Sequence, residues 1–166
     1  NMILSCQPTQ TRLGSLVVAA MGEVTGTVRG NTTSTTRADA CDPEFLTPLP
    51  YAAVTANGQT VYADANGSYS HPHSGGNTSF GGALGGQWFI VNNEAGSTTT
   101  ASNTGSNGDV VNISYNTSPS ELVTAQTNAY REANRIRDLV LASNPAYPTI
   151  GTQTFWPINC NIGSSC

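Results

Sequence analysis

Residues 48–70 read PLPYAAVTANGQTVYADANGSYS. Asn57-Gly58 lies between two short β-prone runs, and Asn and Gly tolerate the positive φ of a type I′ turn, so a tight hairpin is predicted there. Asp64-Ala65-Asn66-Gly67 is a second turn, after which Ser68-Tyr69-Ser70 returns as a strand. On the N-terminal side, 13–28 is apolar and β-branched, broken by Gly22 and Gly26, and predicts one or two strands. RGNTTSTTRADACDPEFLT at 29–47 reads as a polar loop, and 75–86 as Gly-rich spacers. QWFIVN at 87–92 is the most apolar strand, Thr98 to Gly108 a Ser/Thr/Asn loop, and VVNISY at 110–115 the last strand. About seven short strands with turn chemistry between them predict an antiparallel β-sandwich.

The pattern changes after 116. Ser118-Pro119-Ser120-Glu121 predicts a helix start, with Ser118 at the N-cap, Pro119 at the first helical position and Glu121 closing a capping box. Leu122, Ala125, Ala129, Ala133, Ile136 and Val140 form one stripe at helical spacing. Asn144-Pro145 ends the helix. The expected organisation is an N-terminal arm (1–21), a sandwich (22–116), one long C-terminal helix (117–144) and an extended tail (145–166) anchored by Phe155, Trp156 and Ile158. At this length the helix is long for so small a domain, so part of it is expected to pack on something beyond the sandwich.

The chain has 166 residues, enough for one domain with an appended arm. Charged residues make up only 10%, against about 25% in an ordinary globular chain. There is no lysine, and the formal net charge is −4. Binding nucleic acid through phosphates needs clustered Lys and Arg, which are missing. No apolar run is long enough to span a membrane. Without lysine the chain has no Lys amine for a Schiff base and no Lys–Asn isopeptide bond. Scarce charge with abundant Ser, Thr and Asn is the look of an extracellular, secreted or cell-surface sheet protein. The apolar segment LGSLVVAAM at 13–21 lies too far inside the chain for a signal peptide and reads better as a strand. The chain opens on Asn1, which reads as a mature product or a fragment.

Cys6, Cys41, Cys160 and Cys166 form no C-x-x-C pair. An even count in an extracellular chain suggests two disulfides. Of the three connectivities, Cys6–Cys41 with Cys160–Cys166 closes the shortest loops; the competing reading leaves one or more of them free and buried.

VTGTVRG at 24–30, PLPYAAVTANG at 48–58 and YADANGSYS at 62–70 together resemble the carboxypeptidase regulatory-like, transthyretin-like sandwich family. Members of that family are binding or spacer modules, which implies no catalysis here. NAYREANRIRDLVLASNPAYPTIGTQTFWPINCNIGSSC at 128–166 resembles the segment leading into the catalytic domain of secreted zinc metalloproteases related to fungalysin and thermolysin. Their zinc helix, H-E-x-x-H, has no counterpart in this chain, so no catalytic residue is carried over.

His71-Pro72-His73 offers two metal ligands, with Asp64 or Asp109 as a distant third; solvated histidines in a Gly/Ser loop are the simpler reading. Asp64 and Asn66 are oxygen donors of the kind Ca²⁺ takes, but the tight turn explains them without an ion, so no metal and no cofactor is expected. No catalytic residue is nominated. Five N-x-[ST] sequons, at Asn31, Asn66, Asn77, Asn112 and Asn116, are candidates for glycans, with Asn31 and Asn77 best placed. The Thr32–Thr33 and Thr98–Thr99 clusters are candidate O-glycosylation tracts. Trp88, Phe89, Tyr69 and Trp156 could stack on sugars, but aromatics at strand spacing are more often core.

The expected function is structural: a glycosylated extracellular subunit that binds copies of itself in a fibre. Leu13, Leu16 and Val18 of the apolar arm would add to a neighbour's sandwich through main-chain bonds, and Trp156 with the long helix would bridge to a further subunit. The alternative is a non-catalytic accessory piece of a secreted metalloprotease precursor.

Overall fold

A computed structural model describes residues 22–33 and 43–163. They are mainly β, with antiparallel sheets and one long helix near the C-terminus. The longest strand, β1 (Glu23–Thr33), organises one sheet. Along one of its edges lie β5 (Ser68–Pro72) and then β2 (Glu44–Pro48), both antiparallel to it. Along the other edge β9 (Ile113–Tyr115) runs parallel. The second sheet has the order β4 (Gln59–Tyr62), β3 (Ala53–Ala56), β6 (Thr78–Ala83), β8 (Thr100–Gly105). Val24, Val28, Tyr69 and Ile113 from the first sheet meet Val54 and Phe80 from the second in one buried core. That is the antiparallel sandwich expected from the strand spacing.

The hairpin at 57–58 forms as expected. Asn57 has φ 50° and Gly58 φ 76°, and Ala56 pairs with Gln59 across the turn. In the second turn the Asp64 carboxylate accepts the N–H groups of Asn66 and Ser68, both at 2.8 Å. This Asx geometry accounts for Asp64 as a turn residue.

Several segments expected to be loops are strands. β1 continues through Asn31–Thr33 and β2 begins at Glu44, inside the stretch taken for a polar loop. β6 occupies the Gly-rich spacer, and β8 the Ser/Thr/Asn segment. β8 is mostly exposed, so it has no apolar alternation to betray it; main-chain pairing with β6 along Thr78–Ala83 holds it. In the opposite sense, only Ile113–Tyr115 of VVNISY is a strand, and Val110 makes a single bridge to Thr25.

The long helix, α1, spans Glu121–Ser143. Its start differs from the expected one. The N-cap is Ser120, and its side chain makes no capping bond. Asn116 caps instead from outside: it has φ 57°, and its Oδ1 accepts the Ser120 N–H at 3.3 Å. The buried face also differs. Thr124, Gln126, Thr127, Tyr130, Asn134 and Arg137 point inward, while Leu122 and Ile136 are exposed. The sandwich end that α1 covers presents carbonyls and hydroxyls, so polar side chains suit it: the Thr127 hydroxyl donates to Asn31 O at 2.6 Å, and the Tyr130 hydroxyl to Pro50 O at 2.8 Å.

The tail is less extended than expected. It holds a short helix, α2 (Pro148–Thr152), and β10 (Trp156–Cys160). β10 runs parallel to β7 (Phe89–Asn93), the strand expected from QWFIVN. Among the described residues no helix is long and apolar enough to cross a membrane.

Candidate functional site

An apolar surface lies where α1, α2 and β10 meet. Two consecutive aromatics shape it. Phe155 adopts φ 56°, a left-handed conformation that costs a bulky residue energy. Phe155 and Trp156 consequently face different depressions. Trp156 lines a slot of about 300 Å³ with Phe89, Ala133, Ile136, Ile150 and Pro157, and Arg137 closes it at the side. Phe155 lines a second groove of about 370 Å³ with Tyr62, Leu84 and Ile90, beside the β3–β4 hairpin. Around these openings Ile136 is 58% exposed, Leu139 67% and Phe155 52%.

Behind the slot is a polar cluster. The Arg137 side chain is 8% exposed, and its guanidinium carbon lies 3.6 Å from the centroid of Trp88, a stacked cation–π contact. Its Nη1 is 3.3 Å from Asp138 Oδ1. The same carboxylate accepts the Tyr51 hydroxyl at 3.0–3.1 Å. Burial first, and this hydrogen bond second, push the Tyr51 phenol above its ordinary value. Tyr51 is itself left-handed, with φ 57°. It is held there because Gly86 packs directly under its carbonyl, where a Cβ would collide with Tyr51 O and the Tyr130 hydroxyl. Trp88 Nε1, Arg137 Nε and Asn134 Oδ1 are buried without a hydrogen-bond partner among the described residues. The cluster fixes the wall of the slot by stacking and packing.

The edge of β10 beside the slot is partly blunted. Trp156 N–H donates to Trp88 O, so the even positions of β10 face β7 and Pro157 faces outward. Proline supplies no donor there, which discourages a further strand on that edge. The slot therefore receives side chains more readily than a paired backbone.

The other sequence candidates are scattered. His71 and His73 are buried, contrary to the solvated reading. Both pack edge-on against Phe80, at 5.4 and 5.3 Å between ring centroids. His71 places its two ring nitrogens at 2.9 Å from Pro72 O and 3.1 Å from Gln59 O, and His73 Nε2 lies 2.8 Å from Gly76 O. Among the described residues no group of three or more His, Cys, Asp or Glu is gathered as a metal site.

Asn66 and Asn77 are exposed on turns. Asn112 is exposed too, though its Oδ1 accepts Thr27 N–H and hydroxyl. Asn116 is buried, and its amide donates to Asn31 O and Thr124 Oγ1, while Asn31 Nδ2 donates to Asn116 O at 2.8 Å. In the fold, a glycan on either Asn31 or Asn116 would break this exchange. Thr32 and Thr33 are fully buried and leave no room for a sugar; Thr98 and Thr99 are half-buried, and the Thr98 hydroxyl donates to Val91 O. Of the sugar-stacking candidates, Tyr69 is core and its hydroxyl donates to Val111 O, whereas Trp88 is covered by Arg137. Cys160 is buried, and burial raises its thiol above the usual range. The pairings proposed for it and for Cys6, Cys41 and Cys166 lie outside the described residues, as do Leu13, Leu16 and Val18.

Sequence reasoning found Trp156 but missed Arg137, Tyr51 and α2. Arg137 and Asp138 sit on α1, and nothing in a lone helix says which face its neighbours cover. Compared with family models, curated proteins and solved structures, the chain matches none.

Proposed function

We propose that this chain is a non-catalytic extracellular structural subunit that polymerises head to tail. One observation supports the reading: Gly22, where residues 1–21 attach, and the start of α1 belong to opposite ends of β1. Residues 1–21 join the sandwich at Gly22, whose carbonyl accepts His73 N–H and whose Cα abuts Asn107. The helix meets the other end of β1, through Asn31–Thr127 and Thr33–Asn128. At ~3.3 Å per residue those ends are about 30 Å apart. A donor at one end and an acceptor at the other make a heterologous contact, which propagates as an open filament unless it closes into a ring.

The surface supports the same reading. Charge is scarce and hydroxyls abundant, and the exposed Asn66 and Asn77 suit sugars that keep such a surface soluble. The exposed apolar strip of Ile136, Leu139 and Phe155 suits an interface. The test is electron microscopy and light scattering of the purified full chain over a concentration series, with intact-mass analysis of native material for sugars and disulfides. Filaments above a threshold concentration are expected. A monomer at every concentration rejects the proposal.

A further inference from the structure

We infer that the slot between α1, α2 and β10 is the acceptor for the apolar arm, residues 13–20, of a second copy of this chain; this rests on the head-to-tail reading above. Three observations lead to that occupant.

The first is chemical fit. LGSLVVAA carries no charge, and the slot is walled by Phe89, Ala133, Ile136, Ile150, Trp156 and Pro157. Its volume of about 300 Å³ suits one or two aliphatic side chains rather than a whole helix. Bound in extended form, Leu16 and Val18, two residues apart, would share one side and enter together. Pro157 on the outward edge of β10 leaves the side chains as the main contact.

The second is reach. Within one copy the arm is tethered at Gly22. Val18 and Leu16, the residues proposed to enter the slot, lie four and six residues away and at ~3.6 Å per residue stay within about 14 and 22 Å of that point, while Leu13, nine residues away, reaches about 32 Å. The start of α1 engages β1 at Asn31–Thr33, about 30 Å from Gly22, and the slot residues Ala133, Ile136 and Arg137 lie about two to three turns further along α1. No element around Gly22 contributes to the slot. A neighbour's arm has no such tether.

The third is pre-organisation. Arg137 stacked on Trp88, and Asp138 held by Tyr51, keep the slot's polar wall in place. The left-handed Phe155 turns Trp156 into it. A pre-formed acceptor spends little conformational entropy on binding.

The experiment uses the full chain with a benzophenone amino acid at Leu16, polymerised as a mixture of light and heavy isotopic copies and irradiated. Mass spectrometry is expected to find Leu16 of one copy joined to residues 133–157 of another. Ile136→Glu and Ala133→Phe are expected to raise the threshold concentration for growth about ten- to hundredfold, the worth of one buried aliphatic side chain. Leu46→Asn, exposed on β2 and outside the slot, is expected to grow like the parent. Filaments whose cross-links fall within one copy or on another surface, or whose growth ignores both slot variants, overturn the slot while leaving the polymer reading intact. A parent chain that never polymerises overturns both.

Discussion

One carbonyl explains why residue 26 is glycine. A Cβ there would run into the backbone oxygen of Val111, where the 108–113 segment closes on β1. The obstacle is backbone, with the Tyr69 ring packed beside it, so little can give way. Gly26→Ala is therefore expected to destabilise the chain by about 3 kcal/mol, as overpacking does in a close-packed core. In a thermal melt followed by circular dichroism that is a fall of roughly 6–12 °C, and an unchanged melting temperature would contradict the closure. The phenols make a second residue-scale prediction. Burial raises Tyr69 from 10.0 to about 12, and pushes Tyr115 and Tyr130 higher still. The unfolded chain ionises these groups near pH 10, while the folded chain keeps their protons. Their contribution is therefore whole below pH 10 and declines as pH climbs towards 12 and beyond, because the unfolded state then binds fewer protons. Denaturant midpoints should fall steadily over that window, and ultraviolet titration should show these three phenols ionising only as the fold is lost. A midpoint flat from pH 9 to 12 would count against their burial.

At the scale of the element, α1 depends on a residue outside itself. Asn116 accepts the Ser120 N–H and donates to Asn31 O and Thr124 Oγ1, tying the helix start to β1. Asn116→Ala loses the cap and the buried bonds and meets a left-handed φ of 57°; a loss of about 2 kcal/mol is expected. Asn116→Gly should lose less, since glycine accepts that φ. Ser118→Ala should change stability by less than about 0.5 kcal/mol, whereas the capping box once expected at Ser118 would make it costly. Denaturant melts of the three variants separate the two arrangements. The same helix shows what the sequence could and could not reveal. Its existence and its end at Asn144 follow from spacing and proline, which are local. Its buried face does not, because Thr124, Thr127 and Asn134 go inward only when a partner offers carbonyls and hydroxyls to meet them. Likewise the 57–58 hairpin was legible because its turn needs two particular residues, while β8 was hidden because main-chain pairing leaves no mark on side-chain hydropathy. Of the slot, Trp156 was legible as an anchor; Ile136 was assigned to the wrong face, and Arg137 was invisible as its wall.

For the whole molecule, the question is which force would hold copies together. The chain has net charge −4 and few ions of either sign. Arg137, the only cation among the described residues that line the slot, is already committed to Asp138 and Trp88. The arm from 13 to 20 has no charge to offer it. Attraction between copies should then come from apolar burial, with a weak mutual repulsion against it. Raising salt from about 0.1 to about 1 M shortens the screening length from ~10 to ~3 Å, which removes the repulsion and touches little else. Burial of apolar surface weakens on cooling, because its free energy near room temperature is mainly entropic. The threshold for filament growth is therefore expected to stay level or fall as sodium chloride increases, and to rise when the solution is cooled from about 25 to about 5 °C. Light scattering at several protein concentrations measures both. Filaments that dissolve in salt and grow on cooling would point to ion pairs at the joint, and the apolar arm would then have no claim to the slot.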